Sequence, residues 1–288
     1  MISVVQLGTL DYTTGLRLQQ KLVSLRKDSR IGDVLLLLEH NPVITLGRNA
    51  KSANVIASSE LLHQRGVEVF DCDRGGDVTF HGPGQLVGYP IFDLRGFPSD
   101  DPRRKTLGVI EYVRRLEEVL IRTCADFQIP AERVSGLTGV WTSNDGDGAT
   151  GVPARPSEAR PPETRPLQTA SPQPKEQAKI AAIGVHISRS VTSHGFALNV
   201  NTDLSYFDLI VPCGIANKPV TSIAHELGHE IPLQQVAQSI TRNFGTVFQS
   251  QILWVENLEA LLGESVGVPV KPPPELRQLH REDDTFWA

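Results

Sequence analysis

Cysteine is scarce in this chain. Its 288 residues include three, at positions 72, 124 and 213. A sparse, odd set makes a poor disulfide framework and suits a reducing cytoplasm. Long apolar runs are missing too. None approaches the ~20 residues of a membrane span, so no membrane partner is expected. The opening MISVVQLGTLDYTTG has no basic stretch ahead of a long apolar core, so it is not expected to act as a secretory signal. Positive charge is in deficit, with a formal net charge of -5. That argues against a nucleic-acid scaffold. There is no internal repeat. What remains is an ordinary globular profile, 40% apolar and 21% charged, long enough for one large domain or two small ones.

The hydrophobic pattern predicts strands interleaved with a few helices. Strands are expected at 3–7, 33–39, 42–46, 67–70, 77–81 and 86–94, the last with Val87, Tyr89 and Ile91 inward. A helix is expected at 13–27, capped by Thr13 or Thr14, and a short one at 58–65 stopped by Gly66. The clearest helix spans 104–127. Leu107, Ile110, Val113, Leu116, Val119, Leu120 and Cys124 share one stripe there, which makes Cys124 a core residue. A loop and strand follow at 134–141. Strands at 180–188 and 193–201 pair through 189–192. A second amphipathic helix is expected at 232–248 and a short one at 253–262. Such an order argues α/β or α+β with a mixed sheet flanked by helices.

Residues 143–178 differ in character. They are rich in Pro, Gly, Ser, Glu and Arg and nearly free of large apolar side chains. Such a segment cannot bury enough surface to offset its ordering entropy, so it is expected to be a disordered insertion between adjacent strands. Too little core follows it to need a second domain. The organisation expected is one domain over 1–255, interrupted at 143–178, then an extension at 256–288 whose end is proline-rich and charged.

Three features carry chemistry. The stretch RGGDVTFHGPGQLVGYPIFDL (74–94) sets two glycine turns around a short strand, which brings backbone N–H groups near whatever lies above. Cys213 sits in a Pro-Cys-Gly turn that exposes the sulfur. A thiolate there needs a nearby cation or base. Lys179 opens the small-residue strand KIAAIG, where loss of hydration suits an amine to act as a base. His225-Glu226-Leu227-Gly228-His229 matches the H-E-x-x-H pattern of zinc hydrolases. Its context is poor, because Pro219 and Pro232 confine it and Gly228 weakens a helix, so the match reads as coincidence.

Taken together, RGGDVTFHGPGQLVGYPIFDL, KIAAIGVHI with HGFALNVN (179–201), and DLIVPCGI (208–215) closely resemble the octanoyltransferases, also called lipoate–protein ligase B. HNPVITLGRNA (40–50) and Thr221-Ser222-Ile223 join the similarity, which spans about 30–245. The resemblance implies the biotin/lipoate protein ligase catalytic fold. It also implies a reaction: an octanoyl group passes from acyl carrier protein to a lysine of a lipoyl domain, on 2-oxoacid dehydrogenases or the glycine-cleavage H protein. This is the first step of lipoate synthesis. No ATP, cofactor or metal is implied, and the enzyme is expected to act as a monomer.

Residue by residue, Cys213 matches the family's nucleophile, which forms an acyl thioester, and Lys179 its partner lysine. Arg74, Gly75, Gly76, Asp77, Val78, Thr79, Phe80 and His81 match a substrate-binding loop. Ala182, Ile183 and Gly184, with Gly195, Phe196 and Ala197, match two further substrate-binding runs. Their small size is expected to leave room for the acyl chain, and their N–H groups to hold the thioester oxygen. One departure stands out. Family members join the Trp141 strand to the Lys179 strand by a short loop, whereas this chain inserts 143–178. The alternatives are an ATP-dependent lipoate or biotin ligase on the same fold, a zinc hydrolase built on HELGH, and a non-catalytic binding module.

Overall fold

A computed structural model describes residues 1–143, 177–212 and 218–262. The expectations for most of the insertion, for Cys213 and for the charged tail lie outside the described residues.

The run DVLLLLE explains the architecture. It forms β2 (Asp33–His40), whose Leu35 and Leu37 enter one core while Val34, Leu36 and Leu38 enter another. A strand reads as continuously apolar when both faces of its sheet are covered. The sheet around it follows the order β11 (Ile252–Trp254), β1 (Ile2–Leu10), β2, β6 (Gln85–Ile91), β10 (Val191–Asn199), β9 (Lys179–Ser188), β8 (Leu137–Thr142), β7 (Ala131–Val134). β11, β1 and β2 run parallel, and the remaining neighbours pair antiparallel. One face is covered by α3 (Val109–Asp126) and α5 (Leu233–Val247) through Leu116, Leu120, Val236, Ile240 and Phe244. The other is covered by α1 (Tyr12–Lys27) through Leu18 and Leu22, and by Leu258 of α6 (Leu258–Leu262). Each such side chain contributes about 1.5–3 kcal/mol by leaving water.

A second, three-stranded sheet stands beside the first. β3 (Val43–Leu46) pairs parallel with β4 (Glu68–Asp71) and antiparallel with β5 (Val78–His81). β5 alternates: Val78 and Phe80 enter a third core with Ile44 and Phe207, so Thr79 and His81 face the opposite way. The loop between β4 and β5 ties the sheets together, since Gly75 N–H donates to the Val185 carbonyl of β9 at 3.0 Å.

The mixed sheet and flanking helices stand as expected, with local corrections. α1 is capped by Asp11, which accepts from Thr14 N–H at 2.8 Å, not by Thr13 or Thr14. α2 (Ser59–Gln64) falls within the expected 58–65, with Ser58 as its cap. α3 starts at Val109 because residues 97–107 fold as a loop, with Leu107 N–H donating to Phe97; Ile110 consequently points outward, 79% exposed. Cys124 is fully buried, and burial pushes its thiol up to about 12. The segment 253–262 is not one helix. Its start belongs to β11, which adds to the sheet edge through β1. Val87, Tyr89 and Ile91 are buried, but so is every residue of β6, a strand with two covered faces. The expected strand end at 92–94 falls outside β6, and Leu94–Gly96 is a 3-10 turn. Among the described residues, no helix is long and apolar enough to cross a membrane.

Candidate active site

Between the small sheet and the β9–β10 hairpin lies a cleft of about 480 Å³, including its open mouth. The expected Arg74, Gly76, Asp77, Thr79, His81, Ala182, Ile183, Gly184, Gly195, Phe196 and Ala197 all line it. Val78 and Phe80 do not, because the pleat of β5 sends them to the third core. Phe196 turns its ring to the far core, 6.0 Å from Phe244. Gly75 is also set apart, its N–H taken by Val185. The glycine turn expected to bring backbone N–H groups near the site uses this one within the fold. The glycines serve the backbone as much as a ligand. A Cβ at Gly184 would stand 2.7 Å from the Gly75 carbonyl, and one at Gly195 would collide with the Gly88 carbonyl.

Burial keeps the imidazoles and phenols in and behind this cleft neutral. Burial, with help from nearby His40, holds His81 down to about 3. His81 Nδ1 lies 2.8 Å from Gln85 Oε1. The Gln85 amide nitrogen donates to Phe80 O and Asn199 Oδ1, so its oxygen is the acceptor and His81 Nδ1 carries the proton. Behind it, His40 is held to about 4 by burial. Its Nδ1 faces the Leu10 carbonyl at 2.9 Å, so Nε2 accepts from the Tyr89 hydroxyl at 2.6 Å. Tyr12 stacks on His81 at 6.4 Å, and burial raises the phenols of Tyr12 and Tyr89 far beyond their ordinary range. Arg74, itself buried, directs its guanidinium at the Thr45 carbonyl (2.6 Å) and hydroxyl (2.9 Å). Asp77 accepts from Asn54 at 2.6 Å. His194 closes the rim, 2.7 Å from Asp73; burial lowers it although Asp73 pulls the other way.

Thr79, Ala182 and Ala197 are shared with a second hollow of about 290 Å³, whose lining adds Gln85, Lys179, Asn199, Phe207 and Pro212. The two spaces thus have a common wall. Lys179 is buried, with its Nζ 5.1 Å from the centre of the Trp141 ring. Its backbone is clamped: Lys179 N–H donates to Pro219 O at 2.8 Å, and Thr221 N–H donates to Lys179 O at 2.9 Å. A hydrogen-bonded chain spans both spaces, from His81 through Gln85 and Asn199 to the Thr221 carbonyl.

The lipoyl protein ligase A/B catalytic domain family matches residues 11–245. A protein of Koribacter versatilis named octanoyltransferase is 58% identical over 283 residues, 98% of each chain. Another octanoyltransferase, from Acidobacterium capsulatum, is 51% identical over 92% of this chain and 97% of its own. The chain belongs to the octanoyltransferase family. Its class is that of an acyltransferase. Among solved structures, the bipartite lipoate protein ligase of an archaeal lipoylation system with its E2 lipoyl domain, from Thermoplasma acidophilum, aligns with a TM-score of 0.58 over 98% of both chains at 14% identity. At that identity the likeness shows the fold, the biotin/lipoate ligase catalytic fold expected from the sequence.

HELGH lacks the helical geometry that the zinc pattern needs. α4 (Ile223–Leu227) ends at Gly228, which is left-handed at φ 77°, so His225 and His229 do not share a helical face. His229 instead faces the Glu230 carbonyl at 3.1 Å. Thr221 donates to Glu226 at 2.6 Å. Among the described residues no group of three His, Cys, Asp or Glu is arranged to hold a metal.

Several side chains at the site escape the motif reading. Tyr12, Tyr89 and His194 line the cleft, and Trp141, Gln85 and Asn199 surround the Lys179 hollow or its amine. His40 and His194 lay inside the quoted HNPVITLGRNA and HGFALNVN. Tyr12 carried no such signal, because α1 lies far from the motifs in sequence.

Proposed function

We propose that this chain moves an octanoyl group from the thioester of an acyl carrier protein to a lysine of a lipoyl domain, through a thioester on Cys213. The observation that carries it is the common wall of Thr79, Ala182 and Ala197. On one side is a cleft whose imidazoles and phenols are neutral and whose Arg74 and Asp77 are bonded to Thr45 and Asn54, suited to an acyl chain. On the other is a hollow bounded by Lys179 and by Pro212, the residue bonded to Cys213.

The Cys213 thiolate attacks the donor carbonyl. A new C–S bond forms and the carrier's C–S bond breaks; the carrier sulfur leaves as a thiol with the proton that Cys213 had given up to Lys179, which is left as the neutral amine. One thioester replaces another, so no ATP is needed. The acceptor amine then attacks the enzyme thioester, a C–N bond forms, and Cys213 departs as the thiolate. The amine loses a proton in that step, and Lys179 is the group proposed to take it. Arg74, Gly76, Asp77, Thr79, His81 and the small runs 182–184 and 195–197 are proposed to bind the chain. Each buried methylene contributes about 0.8 kcal/mol.

Transfer from octanoyl-carrier protein to a lipoyl domain without ATP tests the reading. Full turnover is expected, with none in Cys213→Ser. A strict requirement for ATP would favour the ligase chemistry instead.

A further inference from the structure

We infer that Gly139 and Trp141 of β8 form a seat that positions the Lys179 amine; they are positioning residues for the transfer step. The inference rests on the reading of Lys179 as the proton acceptor. Three independent observations meet here. First, the β8–β9 ladder slips. Val140 pairs with Ala181, but Trp141 pairs with Lys179, which leaves Ile180 as the extra residue of a bulge. A bulge re-aims the side chains beside it, and directly opposed residues of an antiparallel pair share a face. Lys179 is thereby set against Trp141, with Nζ 5.1 Å from the ring centre, inside the ~6 Å reach of a cation–ring attraction.

Second, Gly139 makes the room. Its φ of 120° is one that L side chains rarely adopt, and an added Cβ would stand 2.6 Å from the Ala181 carbonyl across the ladder, 2.8 Å from Lys179 Cε and 3.5 Å from Nζ. Third, the ring is a fixed platform. Trp141 is 1% exposed, and the next residue, Thr142, donates its N–H to Ala178 O at 2.8 Å, one residue before the lysine. Lys218 also approaches the ring at 5.5 Å, so two lysine side chains meet the indole at the hollow's edge. A four-carbon side chain swings freely in water. Here the cavity over Gly139 and the face of Trp141 leave it one direction.

Steady-state transfer by the full chain tests the seat, with Lys179→Ala measured alongside. Trp141→Leu is expected to lower kcat about 10–100-fold with KM for the carrier unchanged, since displacement of a reacting group by an ångström is worth that much. Trp141→Phe keeps a ring and is expected to recover most of the rate. A Trp141→Leu enzyme that melts normally and turns over at the wild-type rate, beside a slow Lys179→Ala, overturns the seat and leaves the role of Lys179 standing. Equal losses in the Phe and Leu variants overturn the ring's part. If Trp141→Leu does not fold, Gly139→Ala decides: a lower kcat at constant KM is expected, and a wild-type kcat overturns the seat. A wild-type rate in Lys179→Ala removes the lysine from the reaction, and the seat with it.

Discussion

The two halves of the groove handle polar groups in opposite ways. At the His81 end, burial strips charge away: two imidazoles are held to about 3 and about 4, two phenols stay protonated, and Arg74 is turned onto Thr45. At the Lys179 end, two lysine side chains gather on one indole ring instead. The contrast fits a division of labour. An acyl chain needs walls without uncompensated charge, because an unpaired ion beside methylenes would be costly. Acyl transfer to an amine needs a proton acceptor held at the reacting end. On the proposed reading one fold supplies both, with buried histidines on β2 and β5 and the lysine at the mouth of β9.

The largest effect that could break this comparison is at the lysine. Lys179→Ala is expected to fold normally and to transfer at least ~10²-fold more slowly, the scale of base catalysis. A rate near wild type, measured with saturating carrier and acceptor, would make the two ends equivalent.

A smaller effect sharpens the other end. His40 and His81 stay neutral when folded but bind protons near pH 6.5 when unfolded. The unfolded chain then holds more protons, so stability falls with pH from about 6.5 down to about 4 for His40 and about 3 for His81. Each contributes on the order of 1.4 kcal/mol per pH unit in that window. Thermal melts at pH 7 and pH 5 should therefore separate by several degrees, and His40→Gln should narrow the gap. Equal melting temperatures would mean the histidines are not buried as neutral groups.

Much of this was legible in the sequence, for reasons that can be named. A continuous apolar run located β2, and apolar periodicity located α5, because core contacts repeat along the chain. The glycine loop and the 179–201 hairpin could be read from motifs that sit in continuous runs. Gly139 and Trp141 stood in plain view at a strand end, but their link to Lys179 depends on a one-residue bulge, which no periodicity announces. The Tyr12–His81 stack joins residues 69 positions apart, and the hydrogen-bonded chain from His81 to Thr221 crosses three strands and a loop. Val78 and Phe80 show the reverse limit. A motif marks a whole loop, whereas the pleat decides which of its side chains reach the cleft.

The central claim is that sulfur and amine act on one acyl group at the junction of these two spaces. Intact-mass measurement after mixing the enzyme with octanoyl-carrier protein, acceptor withheld, addresses it most directly. One octanoyl increment, mapped to Cys213 and absent from Cys213→Ser, is the result expected. An increment on another residue, or efficient transfer with the Cys213→Ser protein, would contradict it.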